Sequence, residues 1–139
     1  MLVSNTVRLA WLVAVAVLVA GCAAPSPNGA TTARATDDAA NGTVGASRGR
    51  QLFVSRNCGA CHTIEGVQGA TGTVGPNLSD AASVAGQRKP GVSPEEYLRE
   101  SITAPDAYVV QGFQGGIMPK LPLTDREVDD LVAFLMTRR

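Results

Sequence analysis

Near its middle, the chain reads Cys58-Gly59-Ala60-Cys61-His62. Two thiols at this spacing can each form a thioether bond with one vinyl group of a haem, and the histidine that follows can then face the iron. The C-x-x-C-H pattern is the attachment signature of a c-type haem. It predicts one covalently attached haem c per chain, bound through Cys58 and Cys61, with His62 as an iron ligand.

Two other interpretations of this motif have weaker support. A C-x-x-C pair can be a thioredoxin-like redox site, but that site needs a βαβ setting, and strand signals are absent from this sequence. Two cysteines can also form half of a zinc site, which needs four ligands. The chain has one histidine and three cysteines in total, and the third cysteine, Cys22, has an interpretation of its own.

Residues 1–21 are predicted to be a signal peptide. Arg8 precedes an apolar run over residues 9–20, which is shorter than the roughly 20 residues that cross a bilayer. Residues 18–22, Leu-Val-Ala-Gly-Cys, resemble a bacterial lipobox, in which the cysteine is diacylated and becomes the mature N-terminus. The alternative is an ordinary signal peptide with an incidental cysteine. We favour lipidation of Cys22, because it stands where the processing signal requires it.

Export agrees with the haem prediction, because c-type haem is attached outside the cytoplasmic membrane in bacteria. The segment after Cys22 is small, polar and interrupted by proline and glycine, with Val44 as its one sizeable apolar residue. Such a composition buries too little surface to offset the entropy lost on ordering. Residues 22–46 are therefore predicted to be a flexible linker with a reach of roughly 25–30 Å.

The remaining residues, 47–139, suffice for one small domain, and their patterns are helical. A short helix is predicted over residues 47–57. Two capping boxes mark later helix starts, Ser93 with Glu96 and Thr124 with Glu127. The second is followed by apolar residues at helical spacing: Val128, Leu131, Val132 and Leu135. The segments between these helices are rich in glycine and proline, so an all-α domain is expected.

Composition narrows the function further. The formal net charge is zero, so nothing indicates a nucleic-acid partner. The mature chain would contain no tryptophan and only five aromatic residues: Phe53, Tyr97, Tyr108, Phe113 and Phe134. This is a thin core for a domain of its size, and a buried haem would supply the missing apolar bulk.

The layout over nearly all of residues 47–139 resembles a class I cytochrome c. In that family an N-terminal helix crosses a C-terminal helix through a small residue and an aromatic one. Gly49 and Phe53 match the first helix, and Leu131 and Phe134 match the second. The resemblance implies short helices wrapped around one covalently attached haem.

The same resemblance assigns a role to Pro76. The stretch Gly75-Pro76-Asn77-Leu78 matches the segment in which a proline carbonyl accepts a hydrogen bond from the second nitrogen of the ligating histidine. That bond fixes the tautomer and orientation of the ring. The family often uses a tryptophan to bind a haem propionate, and the mature chain has none. Tyr97, Tyr108 and Arg88 are the candidates to replace it.

The sixth iron ligand must be something other than histidine, because His62 is the only one in the chain. The candidates are Met118, Met136, Lys89 and Lys120. Met118 lies in a glycine-rich loop just before the last helix, where the family places its axial methionine, and the glycines allow a close approach to the haem. Met136 lies on the flank of the last helix, which favours core packing. We predict that Met118 is the ligand.

A thioether ligand favours Fe(II), and two filled axial positions leave no site for a substrate. We therefore expect an electron-transfer protein rather than an enzyme, with no small-molecule substrate. It would be lipid-anchored at the outer, extracytoplasmic face of the cytoplasmic membrane. There it would carry single electrons between a quinol-oxidising complex and a terminal acceptor of a respiratory or photosynthetic chain.

Residues 93–119 also resemble the cytochrome domain fused to subunit II of some haem–copper oxidases, although the copper-binding domain of that subunit is missing here. One alternative is therefore a tethered subunit of a larger respiratory complex, such as alternative complex III. Another is a haem peroxidase or gas sensor. This last function needs an open sixth position, and the chain offers no second histidine for acid–base chemistry.

Overall fold

The computed structural model describes residues 28–139, with side chains from residue 42 onward. The predicted signal peptide and Cys22 lie outside the described residues. Four α-helices follow in chain order: α1, Asn28–Ser55; α2, Ala81–Ala85; α3, Pro94–Thr103; and α4, Asp125–Leu135. No strand occurs within residues 28–139, so the predicted all-α class is confirmed for this part of the chain.

Both predicted capping boxes are present. At the start of α3, the Ser93 hydroxyl accepts from the amide of Glu96, whose carboxylate accepts from the amide of Ser93, each at 3.2 Å. At the start of α4, Thr124 and Glu127 make the same exchange at 3.3 and 2.8 Å. Each box satisfies amides that the first helical turn leaves without partners, which explains why both helices begin where the sequence predicts.

Helices α1 and α4 cross at a glycine. A Cβ atom on Gly49 would lie 1.8 Å from the carbonyl oxygen of Asp130 and 2.8 Å from Cβ of Phe134, so the two backbones touch. Beside this point the rings of Phe53 and Phe134 are 5.8 Å apart between centroids and tilted by 59°. An aromatic pair of this kind contributes about 0.5–1.5 kcal/mol beyond its buried area. The predicted crossing of the two terminal helices is confirmed.

Arginines on the neighbouring helices pair with the acidic residues of α4. Arg48 of α1 donates two hydrogen bonds to the buried carboxylate of Asp130, at 2.7 and 2.8 Å. Arg56 of α1 reaches Glu127 at 2.7 Å, and Arg99 of α3 pairs with Asp129. These contacts fix how α4 is rotated about its axis relative to α1 and α3.

The pairing also shifts the acidity of two of these groups. Hydrogen bonding from Arg48 holds the pKa of Asp130 below its ordinary value. The capping amide of Thr124, with Arg56 as the next contribution, lowers the pKa of Glu127 to about 2. Both carboxylates are therefore charged throughout the physiological range.

The core lies where α1, α3 and α4 meet, and the loops after α1 close it. Its buried side chains include Phe53, Ile64, Val67, Tyr97, Leu98, Val128, Leu131, Val132, Phe134 and Leu135. At the edge of the core, the ring of Tyr97 meets Tyr108 edge-to-face, with centroids 5.7 Å apart. Tyr97, Leu98 and Ile102 of α3 also line a cleft.

The start of α1 differs from the sequence prediction. The helix begins at Asn28 instead of residue 47, so most of the stretch predicted to be a flexible linker, residues 22–46, is helical. Alanines recur through this stretch, and alanine has the highest helix propensity, which favours a helix over a flexible linker. At Gly45 the helix lies close to α4, since a Cβ atom there would be 3.3 Å from Oδ1 of Asp130 and 3.6 Å from Cβ of Ala133.

Helix α2 was not predicted, because its five residues are too few to show a period.

Within residues 28–139, none of the helices combines the length and apolar character that crossing a membrane requires.

Candidate haem-binding site

The C-x-x-C-H motif folds into a single tight turn. Asn57 adopts a left-handed conformation, φ 59°, and starts a 3-10 turn in which the amide of His62 donates to the carbonyl of Cys58 at 3.0 Å. The turn brings the side chains of Cys58, Cys61 and His62 to the wall of one cleft. Both thiols are half-buried and neither forms a disulfide. Burial raises the pKa of the Cys58 thiol, so it is protonated at neutral pH.

The imidazole of His62 has a fixed orientation. Its Nδ1 atom lies 2.8 Å from the carbonyl oxygen of Pro76, the contact that the resemblance implies. A carbonyl oxygen can only accept, so Nδ1 carries the proton and the lone pair resides on Nε2. Only 9% of His62 is exposed. The chain therefore presents one defined nitrogen for binding a metal.

Gly75 forms the surface behind the imidazole. A Cβ atom at this position would lie 2.4 Å from Cε1 of His62, so only glycine leaves room for the ring. The amide of Gly75 donates to the carbonyl of Cys61 at 2.8 Å, and the amide of Leu78 donates to Thr63 at 2.8 Å. The segment after the motif is thus hydrogen-bonded back to the motif on both sides of Pro76.

The cleft is largely apolar and accessible. Five large apolar side chains that are between 37% and 56% exposed line it: Val74, Val109, Phe113, Ile117 and Met118. Exposed apolar side chains gathered around one concavity are typical of a ligand site. Two thiols, a nitrogen with a free lone pair and an apolar wall are the groups that a covalently attached haem requires, so the residues fit this cofactor.

Comparison with known families agrees with this geometry. The family model described as cytochrome c matches residues 46–139. The chain belongs to the cytochrome c family. Members of this family bind covalently attached haem c and transfer electrons, and this cytochrome does both. A search of curated proteins found no similar sequence.

The structure separates the four candidates for the sixth ligand. Met118 lines the same cleft as His62. Met136 follows the last residue of α4 and packs against the core, outside the cleft lining. Lys89 is held by both carboxylate oxygens of Glu100, at 2.7 and 2.9 Å. Lys120 is exposed and lies outside the lining.

The three candidates for binding a haem propionate, Tyr97, Tyr108 and Arg88, all line the cleft of this cytochrome. Arg88 is half-buried, and its guanidinium has no hydrogen-bond or ion-pair partner among the described residues, 28–139. An unpaired cation beside an apolar cleft is well suited to an anionic group.

One residue beside the cleft, Asp106, was not predicted from the sequence. The carboxylate of Asp106 accepts a hydrogen bond from the amide of Gly116 at 2.7 Å, two residues before Met118. In the sequence, Asp106 stands out only as an acidic residue directly after Pro105, which lies two positions beyond the end of α3. Such a residue has no period to reveal it, and its partner is a backbone amide ten positions away.

Proposed function

We propose that this cytochrome is a membrane-tethered carrier of single electrons, with His62 and Met118 as the axial ligands of its iron. The observation that carries the proposal is the lining of a single cleft by both thiols, the imidazole and the Met118 side chain. When bound, haem supplies an iron that gains and loses one electron. The chain would supply His62 and Met118 as ligands, together with the apolar surroundings and the attachment sites.

His62 is prepared for its role before any metal binds. The hydrogen bond from Nδ1 to Pro76 keeps the lone pair on Nε2 and increases its basicity. Gly75 and the backbone bonds around it hold the ring in place. Little rearrangement is then needed when the iron changes charge, which is what an electron carrier requires.

Met118 would supply a soft, neutral sulfur ligand on the opposite side. Such a ligand stabilises Fe(II) over Fe(III), and the apolar side chains around it disfavour the additional charge of the ferric state. Both effects raise the reduction potential. A six-coordinate iron also has no position for a substrate, which favours a carrier over an enzyme.

The test of this ligation compares two methionines. Met118→Ala should abolish the weak sulfur-to-iron charge-transfer band of the ferric protein, lower the reduction potential, and let the ferrous protein bind carbon monoxide. Met136→Leu is the control, because it also removes a sulfur but lies outside the cleft. It should leave all three properties unchanged and cost less than about 1.5 kcal/mol of stability.

If Met136→Leu removed the band and Met118→Ala kept it, the proposed ligand would be wrong. Ready binding of carbon monoxide by the unaltered ferrous protein would instead favour a gas sensor or peroxidase.

The membrane location and the partners are further parts of the proposal. They are supported by the lipobox-like residues 18–22, which precede the helix that leads into the domain. We propose that a lipid on Cys22 keeps the cytochrome at the outer face of the cytoplasmic membrane. There it would pass electrons from a quinol-oxidising complex to a terminal acceptor.

Cys22→Ser tests the anchor. The variant should leave the membrane fraction and keep the visible spectrum of the unaltered protein. If it stays bound after a high-salt wash, then something other than the lipid holds it. Co-purification of that variant with a respiratory complex in mild detergent would favour the tethered-subunit alternative.

A further inference from the structure

The loop that carries Met118 has few internal constraints. Every residue from 111 to 120 is exposed. Phe113 donates from its amide to the carbonyl of Val110 at 3.1 Å, which forms one local turn. Within the described residues 28–139, the bond from the Gly116 amide to Asp106 is the only hydrogen bond that spans the loop. The position of Met118 therefore depends strongly on this one contact.

Asp106 is itself well anchored. It follows the end of α3, and the amide of Ala107 donates to the carbonyl of Ala104 at 2.9 Å, so the chain turns tightly there. Helix α3 is packed into the core through Tyr97 and Leu98. Through this connection, the Asp106 carboxylate has a position set by the rigid part of the domain.

The other end of the contact is equally defined. Gly116 has a φ of +73°, which favours glycine and turns the chain towards Met118. A Cβ atom on the preceding Gly115 would lie 3.4 Å from Val109 and 3.6 Å from Asp106, so the two arms of the loop are in close contact here. A bond at this point fixes the backbone two residues before the sulfur.

We propose that Asp106 is a positioning residue for Met118, and that its carboxylate holds the loop closed over the cleft by accepting from the Gly116 amide. The inference rests on the proposed function, because it requires Met118 to bind the iron. Without the bond, the loop opens more often and the sixth position becomes accessible to other ligands.

The test measures imidazole binding to the ferric, haem-loaded protein, because imidazole must displace the methionine sulfur. Loss of a hydrogen bond to a charged acceptor is worth roughly a factor of ten in the opening equilibrium. Asp106→Ala should therefore bind imidazole about tenfold more tightly. Its sulfur-to-iron band should weaken accordingly.

Two further variants separate positioning from other effects. Asp106→Asn keeps an acceptor oxygen in the same place and should restore most of the native behaviour. Glu95→Ala removes a carboxylate from α3 that has no hydrogen bond or ion pair among the described residues, and it should leave imidazole affinity unchanged. Equal effects of the Ala and Asn variants at position 106 would overturn the hydrogen-bond role.

A measurement on the unaltered protein covers the case in which Asp106→Ala fails to fold. The Gly116 amide should exchange with deuterium much more slowly than the amides of Gly112 and Gly115. Equal exchange would overturn the inference, as would an Asp106→Ala protein that loses thermal stability without any gain in imidazole affinity. Either result would leave the assignment of Met118 as an iron ligand unaffected, because the spectrum of Met118→Ala tests that assignment separately.

Discussion

The two sides of the cleft are built in different ways. On the His62 side, the proposed ligand is 9% exposed, and its ring is hydrogen-bonded to Pro76 and backed by Gly75. On the Met118 side, the proposed ligand is 38% exposed and lies in a loop that, among the described residues, is spanned by a single side-chain bond. The position of His62 is determined by the backbone around it, whereas the position of Met118 depends on one carboxylate and on the cofactor.

This difference shows where the cytochrome can be tuned. A buried, hydrogen-bonded histidine tolerates little change, because any new atom behind it meets the ring. A loop on the surface can change its sequence, and with it the strength of the proposed iron–sulfur bond, at little cost to folding. We therefore expect variation in reduction potential to arise on the Met118 side and variation in stability on the His62 side.

The largest effect should follow from removing the attachment sites. Cys58→Ala combined with Cys61→Ala should abolish covalent haem, and it should also abolish folding because the core has few aromatic side chains of its own. Circular dichroism and the pyridine haemochrome spectrum measure the two losses. Met118→Ala, by contrast, should remain folded with one haem per chain. A stable, haem-free double variant would contradict the dependence of this core on its cofactor.

A matched pair of glycines gives the next test. Gly75→Ala places a methyl group 2.4 Å from the His62 ring, whereas Gly115→Ala places one 3.4 Å from Val109, an ordinary contact distance. We expect the first to cost about 3 kcal/mol of stability or more, and the second less than about 1 kcal/mol. Urea unfolding of the haem-loaded proteins measures both. Similar costs would show that the two sides are equally rigid.

The smallest effect concerns the pH dependence of stability, which arises from two acidic residues of α4. The pKa of Glu127 falls from 4.5 to about 2 on folding, and that of Asp130 is also lowered. Depressed values mean that the unfolded chain takes up protons first. Glu127 therefore contributes its full stabilisation above about pH 5 and loses it as the pH falls towards 2, and Asp130 likewise loses its contribution as the solution becomes acidic. Urea unfolding at several pH values should show this decline, with a shallower slope in Arg48→Met.

Much of the helical frame and of the His62 side could be predicted from the sequence. Capping boxes are local patterns, and Ser93 and Thr124 begin helices where these patterns place them. The contact of His62 with Pro76 lies within one short segment, but its prediction came from the resemblance to a family. The crossing at Gly49 required the resemblance to a family, because nothing local shows which helix will meet that glycine.

The features that escaped prediction depend on three-dimensional proximity or on weak local signals. Arg48 and Asp130 are 82 positions apart, and no periodicity connects them. Asp106 is a lone acidic residue in a loop, and its partner is a main-chain amide. The extension of α1 to Asn28 reflects alanine propensity, which competed with the glycines and polar residues that suggested a linker.

The crossing of α1 and α4 has a consequence for the order of events during folding. Arg48 of α1 and its partner Asp130 of α4 are 82 positions apart, so the crossing forms only when the two ends of the domain come together. Joining segments so far apart along the chain is entropically costly and slow compared with forming local turns. The turn at Cys58 can therefore form early, while the cleft that covers it is still incomplete. A chain that is still folding would thus leave both thiols accessible to haem until α1 and α4 cross.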